Sequence, residues 1–189
     1  MKVTFAEDHV CFEWYPFRGA TVYRAGAVPI ARIRDADWHA IRPELRTRRG
    51  ETLFVPREQS GELAEFCHRT GIPEVRRADV WADLLEPFLD TEFGAEAERA
   101  TLGRLHAAGL PSAEVARIRA RITPLMEAYN FDSMLWEWAY FGLYDLLQAV
   151  NGPLVAPAVR ATAGDPAEVY AWAMRIADDA CIVRRPPAD

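Results

Sequence analysis

Lysine is almost missing: Lys2 is the only one, so arginine carries nearly all the positive charge. The planar arginine fork suits paired contacts with carboxylates. Cysteine is scarce. Cys11, Cys67 and Cys181 are odd in number and far apart, which excludes a disulfide framework and gives no metal-ligand spacing. Reduced thiols in a cytoplasmic protein are expected. Long apolar runs are lacking too. The opening residues have no signal-peptide run. The most apolar stretch, 131–150, is broken by Glu137 and Asp145, which are costly at the centre of a bilayer. No membrane role is expected.

Other absences narrow the chemistry. There is no glycine-rich phosphate cradle and no Gly-x-Ser-x-Gly elbow. His9, His39, His68 and His106 have no second ligand at helical spacing, so neither a metal nor a cofactor is expected. The net charge of −6 and pI of about 5.3 argue against a nucleic-acid binder.

What is present separates into two halves. Runs at 2–6, 9–15, 20–24 and 52–55 are short, rich in β-branched and aromatic residues, and bounded by turn residues, so they read as strands. Segment 28–48 fits a helical stripe about as well as broken strands. Ser60 reads as the N-cap of a helix that Gly71 and Pro73 end. Strands followed by one terminal helix make an order similar to that of bacterial pleckstrin-homology-like modules. The resemblance is one of element order and implies nothing about function.

From Asp79 onward the pattern is helical. Asp79 caps one helix, a second covers 95–108, and Ser112 opens a third. In the third, Val115, Ile118, Ile122, Leu125, Met126 and Tyr129 recur at helical spacing. A turn at Asn130 leads into the aromatic segment 131–150, read as the central helix. Residues 151–164 read as an extended crossover, and Asp165-Pro-Ala-Glu168 as a helix start. The tail from Arg184 reads as frayed. The fold class expected is α+β: a small antiparallel β-rich N-terminal module capped by a helix (1–75), then an all-α bundle of about five helices (76–189).

Two constellations are candidate sites. Asp145 falls on the apolar side of its predicted helix, where a carboxylate needs a partner. An antiparallel hairpin with the third helix brings it toward Arg119, so an Arg119–Asp145 ion pair is predicted. Trp136, Tyr140 and Tyr144 beside it are candidate ligand-binding residues, since buried tyrosine and tryptophan carry polar tips. Arg42, Arg46, Arg48 and Arg49, with Arg57 nearby, form the basic cluster of the chain and a candidate patch for an anion or partner. The function expected is a non-catalytic cytoplasmic interaction protein that binds itself or another protein. The alternative is a small-molecule-binding protein or hydrolase with a pocket between the two halves. Nucleic-acid binding through Arg42–Arg57 is the weakest reading.

Overall fold

The computed structural model describes residues 1–89, 94–131 and 140–180. Over these the chain is α+β, with two antiparallel three-stranded sheets followed by seven α-helices. It divides into two compact units, one covering Met1–Ala78 and the other beginning at Asp79.

In the first unit, β1 (Lys2–Phe5), β2 (His9–Tyr15) and β3 (Arg24–Pro29) form one meander. Glu7 and Asp8 make the first turn, closed by the Ala6 N–H on the His9 carbonyl at 3.0 Å. Alternation sends Val3, Val10, Phe12, Tyr15 and Val28 inward. The ambiguous segment 28–48 forms no α-helix, only a turn of 3-10 helix at Ile30–Arg32. It holds β4 (Ile33–Asp37) and β5 (Glu44–Thr47), which pair with each other and with β6 (Thr52–Phe54) in a second meander. Phe12, Tyr15 and Phe17 pack edge to face at 5.3 Å, and Phe17 meets Phe54 at 6.3 Å. α1 (Ser60–Thr70) buries Leu63, Phe66 and Cys67, and Phe66 lies 5.4 Å from the Phe5 ring.

Two local expectations fail here. Residues 20–23 form a turn, with the Tyr23 N–H on the Ala20 carbonyl, and β3 begins only at Arg24. Val22 is buried by folding back on Gly26, where a Cβ would stand 3.0 Å from the Val22 Cα. Gly26 therefore lies in the middle of β3. Ser60 is the first helical residue rather than the cap, because a turn of 3-10 helix at Arg57–Gln59 leads straight into α1. Gly71, at φ 71°, ends α1 as predicted.

Three sheet edges in this unit are covered. The Gln59 side-chain amide takes the Val3 N–H at 3.3 Å and donates to the Val3 carbonyl at 2.8 Å, so it stands in for a neighbouring strand on β1. The Ala36 N–H donates to the Pro73 carbonyl and the Val75 N–H to the Ala36 carbonyl, which covers β4. On β6 the Phe54 N–H meets the Tyr15 hydroxyl at 3.1 Å. Edges left bare invite pairing with other chains.

The second unit contains α2 (Val80–Leu85), α3 (Ala95–Ala107), α4 (Ser112–Phe131), α5 (Leu143–Asn151), α6 (Pro157–Thr162) and α7 (Pro166–Asp179). The predicted stripe of α4 is buried at all six positions. Asp165 caps α7 through the Ala167 and Glu168 N–H groups. Where an extended crossover was expected, Pro157 opens the short helix α6. Asn130 is not a turn but lies within α4. The aromatic segment is not one helix either: residues 140–142 are non-helical and α5 starts at Leu143. Residues 132–139 and the tail from 181 lie outside the described residues.

Candidate functional site

The later start of α5 changes what Asp145 does. It is the third residue of the helix, 3% exposed, and its Oδ2 accepts the Gly142 N–H at 2.9 Å. That is one half of a capping box, the half a glycine cap permits, since glycine has no side chain to reciprocate. The predicted Arg119–Asp145 ion pair is absent. Arg119 instead donates Nε to the Leu84 carbonyl at 3.1 Å and Nη2 to the Asp83 carbonyl at 3.0 Å. The last carbonyls of a helix have no partner within it, and the guanidinium supplies one for α2. Burial lowers the Arg119 pKa, opposed by the charges of Glu86, Glu98 and Asp83. The hairpin count failed because it assumed a turn at Asn130.

The carboxylate that joins elements in this unit is Asp79. Its Oδ1 accepts the Trp81 N–H at 2.9 Å, capping α2 as predicted. Its Oδ2 accepts the Leu143 N–H at 2.9 Å, at the start of α5, and the Tyr140 hydroxyl at 3.1 Å. One side chain thus caps two helices. Burial raises its pKa, and the three hydrogen bonds from Leu143, Trp81 and Tyr140 work against that rise. Gly142 allows the arrangement: a Cβ there would lie 2.3 Å from Asp79 Oδ2. Of the predicted ligand-binding residues, Tyr140 and Asp145 flank this corner. Tyr144 accepts from Gln148 Nε2 at 2.7 Å, and Trp136 lies outside the described residues. The second role of Asp79 carries no sequence signal.

The five arginines of the predicted basic patch are dispersed. Arg46 is buried: its Nε meets Asp35 Oδ1 at 2.7 Å and its Nη2 the Val75 carbonyl at 2.8 Å. Asp35 Oδ2 also takes Arg34 and Arg77, each at 2.9 Å. Arg48 and Arg49 are exposed at the β5–β6 turn, with Arg48 Nε on the Ala31 carbonyl at 3.0 Å. Arg42 and exposed Arg57 stand at the other end of that hairpin, where Val55 N–H meets the Pro43 carbonyl.

The third place is the outer face of the first sheet. A bulge in β2 sets Glu13 and Trp14 against one residue of β3, between the Phe12–Gly26 and Tyr15–Arg24 pairs. Two consecutive side chains face solvent, and Trp14 is 55% exposed. Bulges re-aim side chains in this way. Lys2 pairs with Glu13 at 2.9 Å beside it. Hydrogen bonding alternates along the hairpin from the Ala6–His9 closure, so Val10 and Phe12 bond toward Val28 and Gly26. The N–H and C=O groups of Ala25 and Ala27 therefore point away from the sheet. Both residues are exposed, and among the described residues neither makes a backbone hydrogen bond outside the strand ladder. Of the two sheets' edges, this one has no such cover among the described residues.

Reactive groups elsewhere are muted. Burial pushes the Cys67 thiol up to about 12, far from a nucleophile at neutral pH. Among the described residues no cluster of His, Cys, Asp or Glu is arranged to hold a metal ion, and no helix is long and apolar enough to cross a membrane. No protein-family model, curated protein or solved structure matches the chain.

Proposed function

We propose that the chain is a non-catalytic cytoplasmic interaction protein that binds protein, its own kind included, through the outer face of the first sheet. The observation that carries this reading is Trp14, more than half exposed on a well-paired central strand where a bulge turns it outward. Tryptophan is among the residues most enriched at the energetic centres of interfaces, and its large apolar face gains most from being covered. The conspicuous ionisable groups add support, because each has a structural task. Asp79 and Asp145 serve helix starts, Arg119 serves a helix end, and Asp35 gathers three arginines. The free thiols of Cys11 and Cys67 accord with a reducing compartment.

Hydroxyl-radical footprinting tests the reading. Trp14 oxidation is compared in dilute protein, concentrated protein and cell extract, with buried Trp81 as reference. Protection of Trp14 in either of the latter is expected. Equal oxidation in all three sinks the proposal.

A further inference from the structure

We infer that the bare edge of β3 pairs with β3 of a second copy, antiparallel about a two-fold axis through Gly26. This goes beyond the interaction reading, because the pairing runs in the plane of the sheet and leaves the outer face with Trp14 open to a further partner. Ala25, Ala27 and Pro29 direct their backbone groups outward, but Pro29 has no N–H to give. A pairing centred on Ala27 sets Ala25 opposite Pro29 and leaves the Ala25 carbonyl of each copy without a donor. A pairing centred on Gly26 sets Ala25 opposite Ala27 in both directions. Every outward N–H and C=O of these two residues then finds a partner, and Pro29 falls outside the paired stretch.

Side-chain chemistry favours a second copy over a foreign peptide. Strand-adding domains choose their peptides with pockets for alternate side chains. Ala25, Gly26 and Ala27 offer no such pockets, yet their small size lets two identical edges approach closely. The two-fold axis runs perpendicular to the sheet, so the inner faces of both copies stay on one side and the outer faces on the other. Ala27 of the second copy stands beside Ala25 and extends the apolar floor next to Trp14. Among the described residues no lysine, inward charge or covering segment protects β3, and the charge of Arg24 and the proline Pro29 stand only at its ends.

Sedimentation equilibrium over a wide concentration range tests the pairing, using the full chain and two variants. The wild type is expected to rise from the 21.3 kDa protomer toward twice that mass. Ala27→Pro removes an outward N–H without touching a bond to β2, and should weaken association about tenfold or more. Ala27→Lys puts a charge on the same edge and should act alike if the proline variant fails to fold. Amide exchange at Ala27 should slow as wild-type concentration rises. A wild type that is monomeric at about 1 mM, where even weak pairing shows, overturns the inference, as does full association of a folded variant. If Trp14 is nonetheless protected in extract, only the self-pairing falls; if it is not, the interaction reading falls with it.

Discussion

Replacing Asp79 with alanine tests the most connected side chain of the second unit. The carboxylate caps α2 at Trp81 and α5 at Leu143 and receives the Tyr140 hydroxyl. A lost N-cap costs typically about 1 kcal/mol, so two give about 2 kcal/mol, with the stranded Tyr140 hydroxyl adding up to about 1 kcal/mol. Relief of the buried charge offsets part of this, and a net loss of about 2 kcal/mol is expected. Urea unfolding followed by far-ultraviolet circular dichroism reads it, and any separate transition of the helical unit should carry the shift. The pH dependence is a second check. Burial raises the Asp79 pKa in the folded protein, so folding favours its protonated form. Its contribution is full below the unfolded value of about 3.9 and declines as pH rises through the folded value. The difference between wild type and Asp79→Ala should therefore be larger at about pH 4 than at about pH 7. A loss under about 0.5 kcal/mol refutes the double cap. A loss that shrinks in acid refutes the account of burial.

Gly142→Ala brings a Cβ to 2.3 Å from Asp79 Oδ2, and the shift it forces should lower the melting temperature in differential scanning fluorimetry by about 4–8 °C. Asp35→Ala takes from buried Arg46 its nearest carboxylate, leaving Glu44 at 3.6 Å, and removes the shared partner of Arg34 and Arg77; it should cost about 3 kcal/mol in urea unfolding of the first unit, and a loss under about 1 kcal/mol contradicts the burial of that network. Iodoacetamide at neutral pH should label half-exposed Cys11 well before Cys67, whose thiol is pushed up to about 12; peptide mass spectrometry separates the two sites, and equal rates are the contrary result. Arg121→Ala removes a guanidinium 4.3 Å above the Trp172 ring and 3.0 Å from the Ala163 carbonyl; a loss of about 1–2 kcal/mol in urea unfolding is expected, and none if that contact is idle.

Features written in neighbouring residues were legible. The α4 stripe is a period, Asp165-Pro-Ala-Glu168 a start and Gly71 a stop, each specified within a few positions. The cap Asp79 gives α2 was legible for the same reason. The cap it gives α5 joins residues 64 apart, and no local pattern encodes that. Asp145 was misread because segment 131–150 is apolar enough to look like one helix. Gly142, three residues before a carboxylate, was the hidden start. The arginine patch failed because β5 is buried along most of its length and ends at Thr47, so it takes Arg46 inside and leaves the arginines that follow in the turn. Arg46 on β5 turns inward to Asp35 while Arg48 and Arg49 face solvent at the next turn. The outer-face site carried no signal, because Ala25-Gly26-Ala27 has the composition of a turn and the exposure of Trp14 follows from a bulge.

The Gln59 amide has a consequence for assembly size. By holding both backbone groups of Val3, it closes the far side of the sheet that β3 leaves open. In a pair joined at β3 the Val3 groups at each outer margin would stay occupied, which would favour a closed pair over a fibre. Gln59→Ala would unseal that margin. The residue that decides between a finite pair and an open-ended polymer would then lie outside the contact itself, just before the helix α1.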